Sequence, residues 1–129
     1  MNKIASKKEV RKLLDQLKQS LDPLNSNYNF EFRDSTHSFF NKHGVFKYEI
    51  KNQIKKFTIK NYLEGPKKDY GNYPGEVWMF KFNFNNLRIY IKFRKFKKYF
   101  FCFRLHVDDG SKKCPYKNEC LEKNSEKEG

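Results

Sequence analysis

Apolar residues near the start of the chain recur at helical intervals. Val10, Leu13, Leu14, Leu17 and Leu21 follow one another at three- and four-residue steps, and Ser6 stands three residues before Glu9. This spacing predicts an amphipathic helix over residues 7–21, opened by a reciprocal Ser–Glu cap and ended by Asp22-Pro23. The period then changes to two: Tyr28-Asn29-Phe30-Glu31-Phe32-Arg33 alternates apolar and polar side chains and predicts a first strand. Asp34 or Ser35 is expected to cap a short helix with Phe39 and Phe40 inward and Gly44 as its stop. A second short helix is expected over residues 47–56, around Tyr48, Ile50 and Ile54. Thr58 can cap one further turn that Gly65-Pro66 closes. The following stretch, GPKKDYGNYPGE, holds three of the six glycines and two of the four prolines, which predicts a long surface loop over residues 65–76.

Three strand-like runs follow, at residues 77–84, 88–95 and 99–107, separated by Asn85-Asn86 and by a basic turn. They predict an antiparallel meander. Side chains alternate across a strand, so Ile89, Ile91, Phe93, Phe101, Phe103 and Leu105 should form one apolar side. Arg88, Tyr90, Lys92, Arg94, Cys102, Arg104 and His106 should form the other. A three-residue turn at 96–98 keeps the apolar residues on one face and sets Tyr90 opposite Arg104, Arg88 opposite His106 and Lys92 opposite Cys102. His106 is then diagonal to Tyr90. A turn at 95–97 would shift this pairing by one pair and keep the face. The expected fold is α+β: an antiparallel β-sheet meander with an N-terminal helix and short helices packed on one face. It forms a single domain over residues 1–129, with the helical segment in residues 1–25 and a polar C-terminal tail over residues 110–129.

Composition sharpens this picture in two ways. The chain carries 14 phenylalanines, enough for an aromatic core, and a net charge of +13. Residues 77–107 hold eight basic side chains (Lys81, Arg88, Lys92, Arg94, Lys95, Lys97, Lys98 and Arg104) and no Asp or Glu. A one-sign field on one element attracts polyanions, so nucleic acid or an acidic protein is the expected partner, ahead of an anionic membrane surface. The first residues, MNKIASKKEV, hold no apolar run of signal-peptide length, and no stretch is long enough to span a bilayer, which leads to the expectation of a cytoplasmic protein without a membrane partner. Three cysteines do not make a disulfide framework and fit a reducing compartment.

The basic face also holds groups that can do chemistry. RNA is cleaved without a metal when one group takes the 2′-hydroxyl proton, another protonates the leaving 5′-oxygen and cations stabilise the charge on phosphorus. Histidine exchanges a proton near neutrality, Tyr90 can give or relay one, and Lys92, Arg104 and Arg88 can clamp phosphate. An ordinary solvated strand face is the competing explanation, although a row of like charges across strands costs stability unless something anionic neutralises it. Loop aromatics Tyr70 and Tyr73 can stack single-stranded bases, and Lys67 and Lys68 can follow a backbone.

Several pieces together resemble a known family: Leu63-Glu64-Gly65-Pro66 with Asp69, Glu76-Val77-Trp78-Met79-Phe80, Ile89-Tyr90-Ile91-Lys92 and Cys102-Phe103-Arg104-Leu105-His106. This succession, over roughly residues 28–117, resembles the motility quorum-sensing regulator (MqsR-type) toxins of the RelE-like RNA-interferase fold. The resemblance implies a type II toxin that cleaves mRNA without a metal or cofactor and is neutralised by a cognate antitoxin protein, with the ribosome as a further partner left open. It places Tyr90 and His106 in proton transfer. The chain departs from the family pattern at Arg104-Leu105 and at Met79, so the division of acid and base roles between Tyr90 and His106 stays open.

Lys92 and Arg104 are then expected to stabilise the transition state, with Arg88, Arg94 and Lys67 or Lys68 holding the strand. A non-catalytic module that binds RNA or an acidic protein through the same face is the alternative. Metal chemistry is not expected: Cys114 and Cys120 lack a finger spacing, Asp108-Asp109 before Gly110 suits a turn, and residues 77–107 offer no carboxylate. His43 is expected to interact with the end of its helix, and Trp78 to pack in the core.

Overall fold

A computed structural model describes residues 4–25, 27–68, 73–107 and 113–116. Helix α1 (Lys7–Ser20) precedes strand β1 (Asn29–Phe32), a single 3-10 turn at Asp34–Thr36, and helices α2 (His37–His43) and α3 (Lys47–Ile54). A second 3-10 turn (Ile59–Asn61) leads into β2 (Tyr62–Lys67), β3 (Glu76–Phe84), β4 (Leu87–Phe96) and β5 (Tyr99–Val107). The five strands form one sheet in the order β1-β5-β4-β3-β2. Neighbours are antiparallel except β1, which runs parallel to β5. The fold is therefore α+β, with a mostly antiparallel sheet.

Each helix follows from its residues. In α1 the Ser6 hydroxyl accepts from the Glu9 N–H at 3.2 Å, and the Glu9 carboxylate accepts from the Ser6 N–H at 3.0 Å. That satisfies two otherwise orphaned donors. Val10, Leu13, Leu14 and Leu17 are all buried, each contributing on the order of 1.5–3 kcal/mol of apolar burial. Helix α2 buries Phe39 and Phe40 and ends at Gly44, whose φ of 61° is the left-handed conformation a stop requires. Asp34 and Ser35 do not cap this helix: they lie inside the 3-10 turn, and the residue before α2, Thr36, makes no side-chain cap. In the one-turn segment before β2, Thr58 accepts from Lys60 as expected.

One strand, not expected from the sequence, runs through the predicted turn into the first three residues of the predicted loop. Residues 62–67 pair with β3, although they contain Gly65 and Pro66. An edge strand tolerates such residues because its outer hydrogen-bonding row needs no partner. Gly65 has a φ of 121°, and a Cβ there would lie 2.6 Å from the Val77 carbonyl oxygen, so the close approach of β2 to β3 requires glycine.

The helices and the apolar side chains of the sheet make one core. It joins Val10, Leu14 and Leu17 of α1, Phe39 and Phe40 of α2, and Ile50 and Ile54 of α3 to Phe80, Ile89, Ile91, Phe93, Phe100 and Cys102. Trp78 lies in it, as the sequence suggested. Within this core Tyr62 ties three segments together. Its hydroxyl accepts from the Ala5 N–H at 2.8 Å and donates to the Gly65 carbonyl, while its ring stacks on Tyr116 at 6.0 Å. The Tyr116 hydroxyl in turn donates to the Ala5 carbonyl.

Burial is the main reason that the Tyr62 phenol is pushed up to about 12 from its usual 10.0; the Ala5 hydrogen bond opposes it. The unfolded chain therefore loses this proton near pH 10, whereas the folded chain holds it to about 12, so stability falls as pH rises through that window. Tyr62→Phe should cost about 1–3 kcal/mol near neutrality by stranding the Ala5 donor. In urea melts the variant should also lose less stability than wild type between those two pH values.

Candidate nucleic-acid interface

The sheet face opposite the helices carries no helix among the described residues and is open at Arg88 and Arg104, whereas Leu63, Glu64, Val77, Met79 and Tyr90 on it are buried and Cys114 packs against Leu63, Met79 and Tyr90. Three irregularities in its strands decide what stands on it. In β5 the pairing runs Lys92 with Arg104 and then Phe93 with Cys102, so Phe103 is an extra residue. In β2 it runs Tyr62 with Phe80 and then Glu64 with Met79, so Leu63 is extra, and a further shift follows between Glu64 and Lys67, which pairs with Val77. Each is a β-bulge, a device that re-aims side chains and recurs beside active sites. Cys102 and Leu105 both point into the core, so the two residues between them, Phe103 and Arg104, share the open face. Likewise Tyr62 is in the core while Leu63 packs with Met79 and Tyr90 on the other side. The carbonyl of the bulged Phe103 accepts the Ser35 hydroxyl.

These bulges correct the expected register. The β4–β5 turn has two residues, Lys97 and Lys98, with Lys97 at a φ of 55°. A two-residue turn pairs Phe96 with Tyr99 and reverses the expected parity of residues 99–103. Cys102 is accordingly in the core, and Phe101 and Phe103 are half-buried on the open face, the reverse of the expectation. The bulge restores parity from Arg104 onward. Tyr90 then lies directly opposite His106, not Arg104; Lys92 lies opposite Arg104, not Cys102; and Arg88 pairs with no residue of β5 but with Asn83 of β3.

The open face can be followed as rows across the strands. One row is Lys81, Tyr90 and His106; the next is Glu64, Met79, Lys92 and Arg104; the third is Lys67, Val77, Arg94 and Phe101. In the first, the Tyr90 ring and the His106 imidazole are stacked, with centroids 4.8 Å apart and planes 17° from parallel. Tyr90 is only 6% exposed, packed with Leu63 and Met79, and Nδ1 of His106 is also buried. In the second row two cations face each other across β4 and β5, Arg104 exposed and Lys92 half-buried. A phosphate between such a pair converts like-charge repulsion into charge-assisted hydrogen bonds. Glu64 is 2% exposed and its carboxylate lies 3.5 Å from the Lys67 ammonium.

The third row is aromatic and basic. The Arg94 guanidinium lies 4.6 Å from the Phe103 centroid and 4.8 Å from that of Tyr73. Burial, and then the charge of Arg33, lower the pKa of Arg94 from its usual value. The proposed catalytic set Tyr90, His106, Lys92 and Arg104 is thus brought together as two adjacent cross-strand pairs. Of the RNA-binding candidates, Arg94 and Tyr73 meet, Arg88 lies exposed beside the first row, Lys67 is engaged by Glu64, and Lys68 is exposed at the end of β2. Tyr70, Asp69, residues 108–110 and Cys120 lie outside the described residues.

Strict alternation does not place Glu64, Arg33, Phe101 and Phe103 on this face, because the two-residue turn, the bulges and the parallel strand β1 have no signature in a period-two pattern. Cys102 is buried and its thiol is pushed well up by burial, which removes it from nucleophilic chemistry. The His43 ring lies tilted against Phe39 at the end of α2, with centroids 4.8 Å apart and planes at 49°. No helix among the described residues is long and apolar enough to cross a membrane. Comparisons of the chain with protein-family models, with curated proteins and with solved structures find no match.

The stacked pair has a direct spectroscopic consequence. In proton NMR the His106 imidazole signals should be displaced upfield by the Tyr90 ring current, whereas those of the exposed His37 should sit near random-coil positions. Tyr90→Phe should preserve the displacement and Tyr90→Leu should abolish it. Unchanged His106 shifts in the leucine variant would mean that the two rings do not stack in solution.

Proposed function

We propose that this protein is a metal-independent endoribonuclease of the RelE-like class, acting on single-stranded mRNA as the toxin of a type II toxin–antitoxin pair. The observation that carries the reading is the juxtaposition of Tyr90 stacked on His106 with the cationic pair Lys92 and Arg104 in the next cross-strand row. The MqsR-type sequence resemblance supports the same class, and the cationic open face supports a polyanionic substrate. The antitoxin is the partner that the toxin reading requires.

The chemistry assigned to this cluster is transesterification. The substrate 2′-oxygen attacks the adjacent phosphorus, the bond from phosphorus to the 5′-oxygen breaks, and a 2′,3′-cyclic phosphate and a 5′-hydroxyl result. One proton leaves the 2′-hydroxyl and one reaches the 5′-oxygen, and Tyr90 and His106 divide these two transfers. Lys92 and Arg104 neutralise charge on the non-bridging oxygens as phosphorus becomes five-coordinate. Arg88 extends the phosphate track at the near end of β4.

The burial of Tyr90, 6% exposed, favours a second reading in which the face binds RNA or an acidic protein without cleaving. The two are separated by incubating the protein with single-stranded RNA in chelator and sequencing the product ends. Cleavage with cyclic phosphate ends, reduced roughly 10²–10⁴-fold by His106→Ala and by Tyr90→Phe, is the expected outcome. Salt-sensitive binding without any products would replace the nuclease with the binding module. Growth inhibition that persists in a folded Tyr90→Phe, His106→Ala double variant would remove these two residues from the mechanism.

A further inference from the structure

Farther along the same face, where β1, β5 and the residues before β3 converge, lies a groove of about 330 Å3. That volume is within the range of small-ligand pockets. Its walls pair cations with rings. The Arg33 guanidinium lies 5.2 Å from the Phe101 centroid, and Arg94 lies between Tyr73 and Phe103. Phe101 is also stacked on Tyr99, with planes 7° apart and centroids separated by 5.7 Å, which makes a two-ring aromatic stack at the edge of the groove. Nη1 of Arg33 meets the Glu31 carboxylate at 3.0 Å, with both side chains more than half exposed. A guanidinium fork has five N–H donors, so this exposed pair does not exhaust it.

The ligand these features suit has an anionic group and a planar π-system held close together. The two guanidiniums are near enough for the charge of Arg33 to disfavour that of Arg94, and an anion between them relieves that repulsion. The ring faces give no advantage to a carboxylate alone but stack well on a nucleobase, with any base accepted. Position adds a further argument. Arg94 is two residues from Lys92 and four from Tyr90 on β4, about 7 and 13 Å at the rise of a strand. A short oligonucleotide lying along the open face reaches both places.

We propose that this groove is a second nucleotide subsite for single-stranded RNA, with a backbone phosphate between Arg33 and Arg94 and a base stacked against the rings of Phe101 and Tyr73. The identity of the polymer rests on the ribonuclease reading; the groove's affinity does not require cleavage. It positions the strand so that a neighbouring phosphodiester crosses the Tyr90–His106 pair.

The test uses the full chain and a short 2′-O-methyl oligoribonucleotide, which cannot form the cyclic phosphate, carrying one 2-aminopurine. Wild type should bind it with fluorescence quenching, and Arg33→Ala should weaken binding and lower the salt slope by about one. Phe101→Leu keeps apolar bulk while removing the ring face; it should weaken binding roughly tenfold and abolish the quenching at unchanged melting temperature. Wild-type affinity and quenching in both variants would overturn the subsite and leave the cleavage reading standing. Groove-dependent binding by a protein that leaves unmodified RNA intact would keep the subsite and overturn the nuclease. Failure of wild type to bind the oligonucleotide overturns the subsite regardless of the cleavage assay. Arg33-dependent binding of a polyglutamate peptide in preference to the RNA would reassign the groove to an acidic protein.

Discussion

The open face of the sheet depends on one extra residue in β5. A two-residue turn at Lys97-Lys98 places Phe100 and Cys102 in the core, and if β5 continued in regular alternation, Arg104 and His106 would point there too. Burying an arginine and an imidazole against Phe93 and Ile91 would cost several kcal/mol of desolvation. The bulge at Phe103 removes the conflict. It lets Leu105 enter the core and returns Arg104 and His106 to the face that already carries Lys92 and Tyr90. The residue that carries the irregularity is itself accommodated: its carbonyl accepts the Ser35 hydroxyl and its ring lies against the Arg94 guanidinium.

A second bulge, at Leu63, acts on the other side of the same row. It sets Glu64 opposite Met79, level with Lys92 and Arg104, and adds Leu63 to the small apolar patch beneath Tyr90. The sheet thereby has two unlike surfaces with little exchange between them. One is sealed by helices, and Lys95 belongs to that side, where its ammonium donates to the Gln16 side chain of α1 at 2.6 Å. The other concentrates cations around stacked rings. Aromatic faces hold guanidiniums in place, and guanidiniums beside rings are a surface on which both parts of a nucleotide find a partner.

The elements with strong local signals were readable from the chain. Helix α1 is announced by Ser6, Glu9 and the leucine spacing, the end of α2 by Gly44, and the β3–β4 hairpin by Asn85-Asn86, both of which adopt positive φ. The strand β2 escaped because Gly65 and Pro66 read as punctuation; only its place at the sheet edge makes them compatible with pairing. Of the candidate site, the membership of Tyr90, Lys92, Arg94, Arg104 and His106 on one face followed from the sequence, while their partners did not.

That division has a physical cause. Residue type and spacing determine local preferences: an amphipathic helix, alternating strands, an aromatic core and a basic stretch without acids. Register is a property of two strands at once, set by turn length and bulges, and a shift of one residue exchanges every side chain between faces. The stacking of Tyr90 on His106, the pairing of Lys92 with Arg104, and the meeting of Arg33 with Phe101 across the parallel β1–β5 pair were decided only when the strands came together.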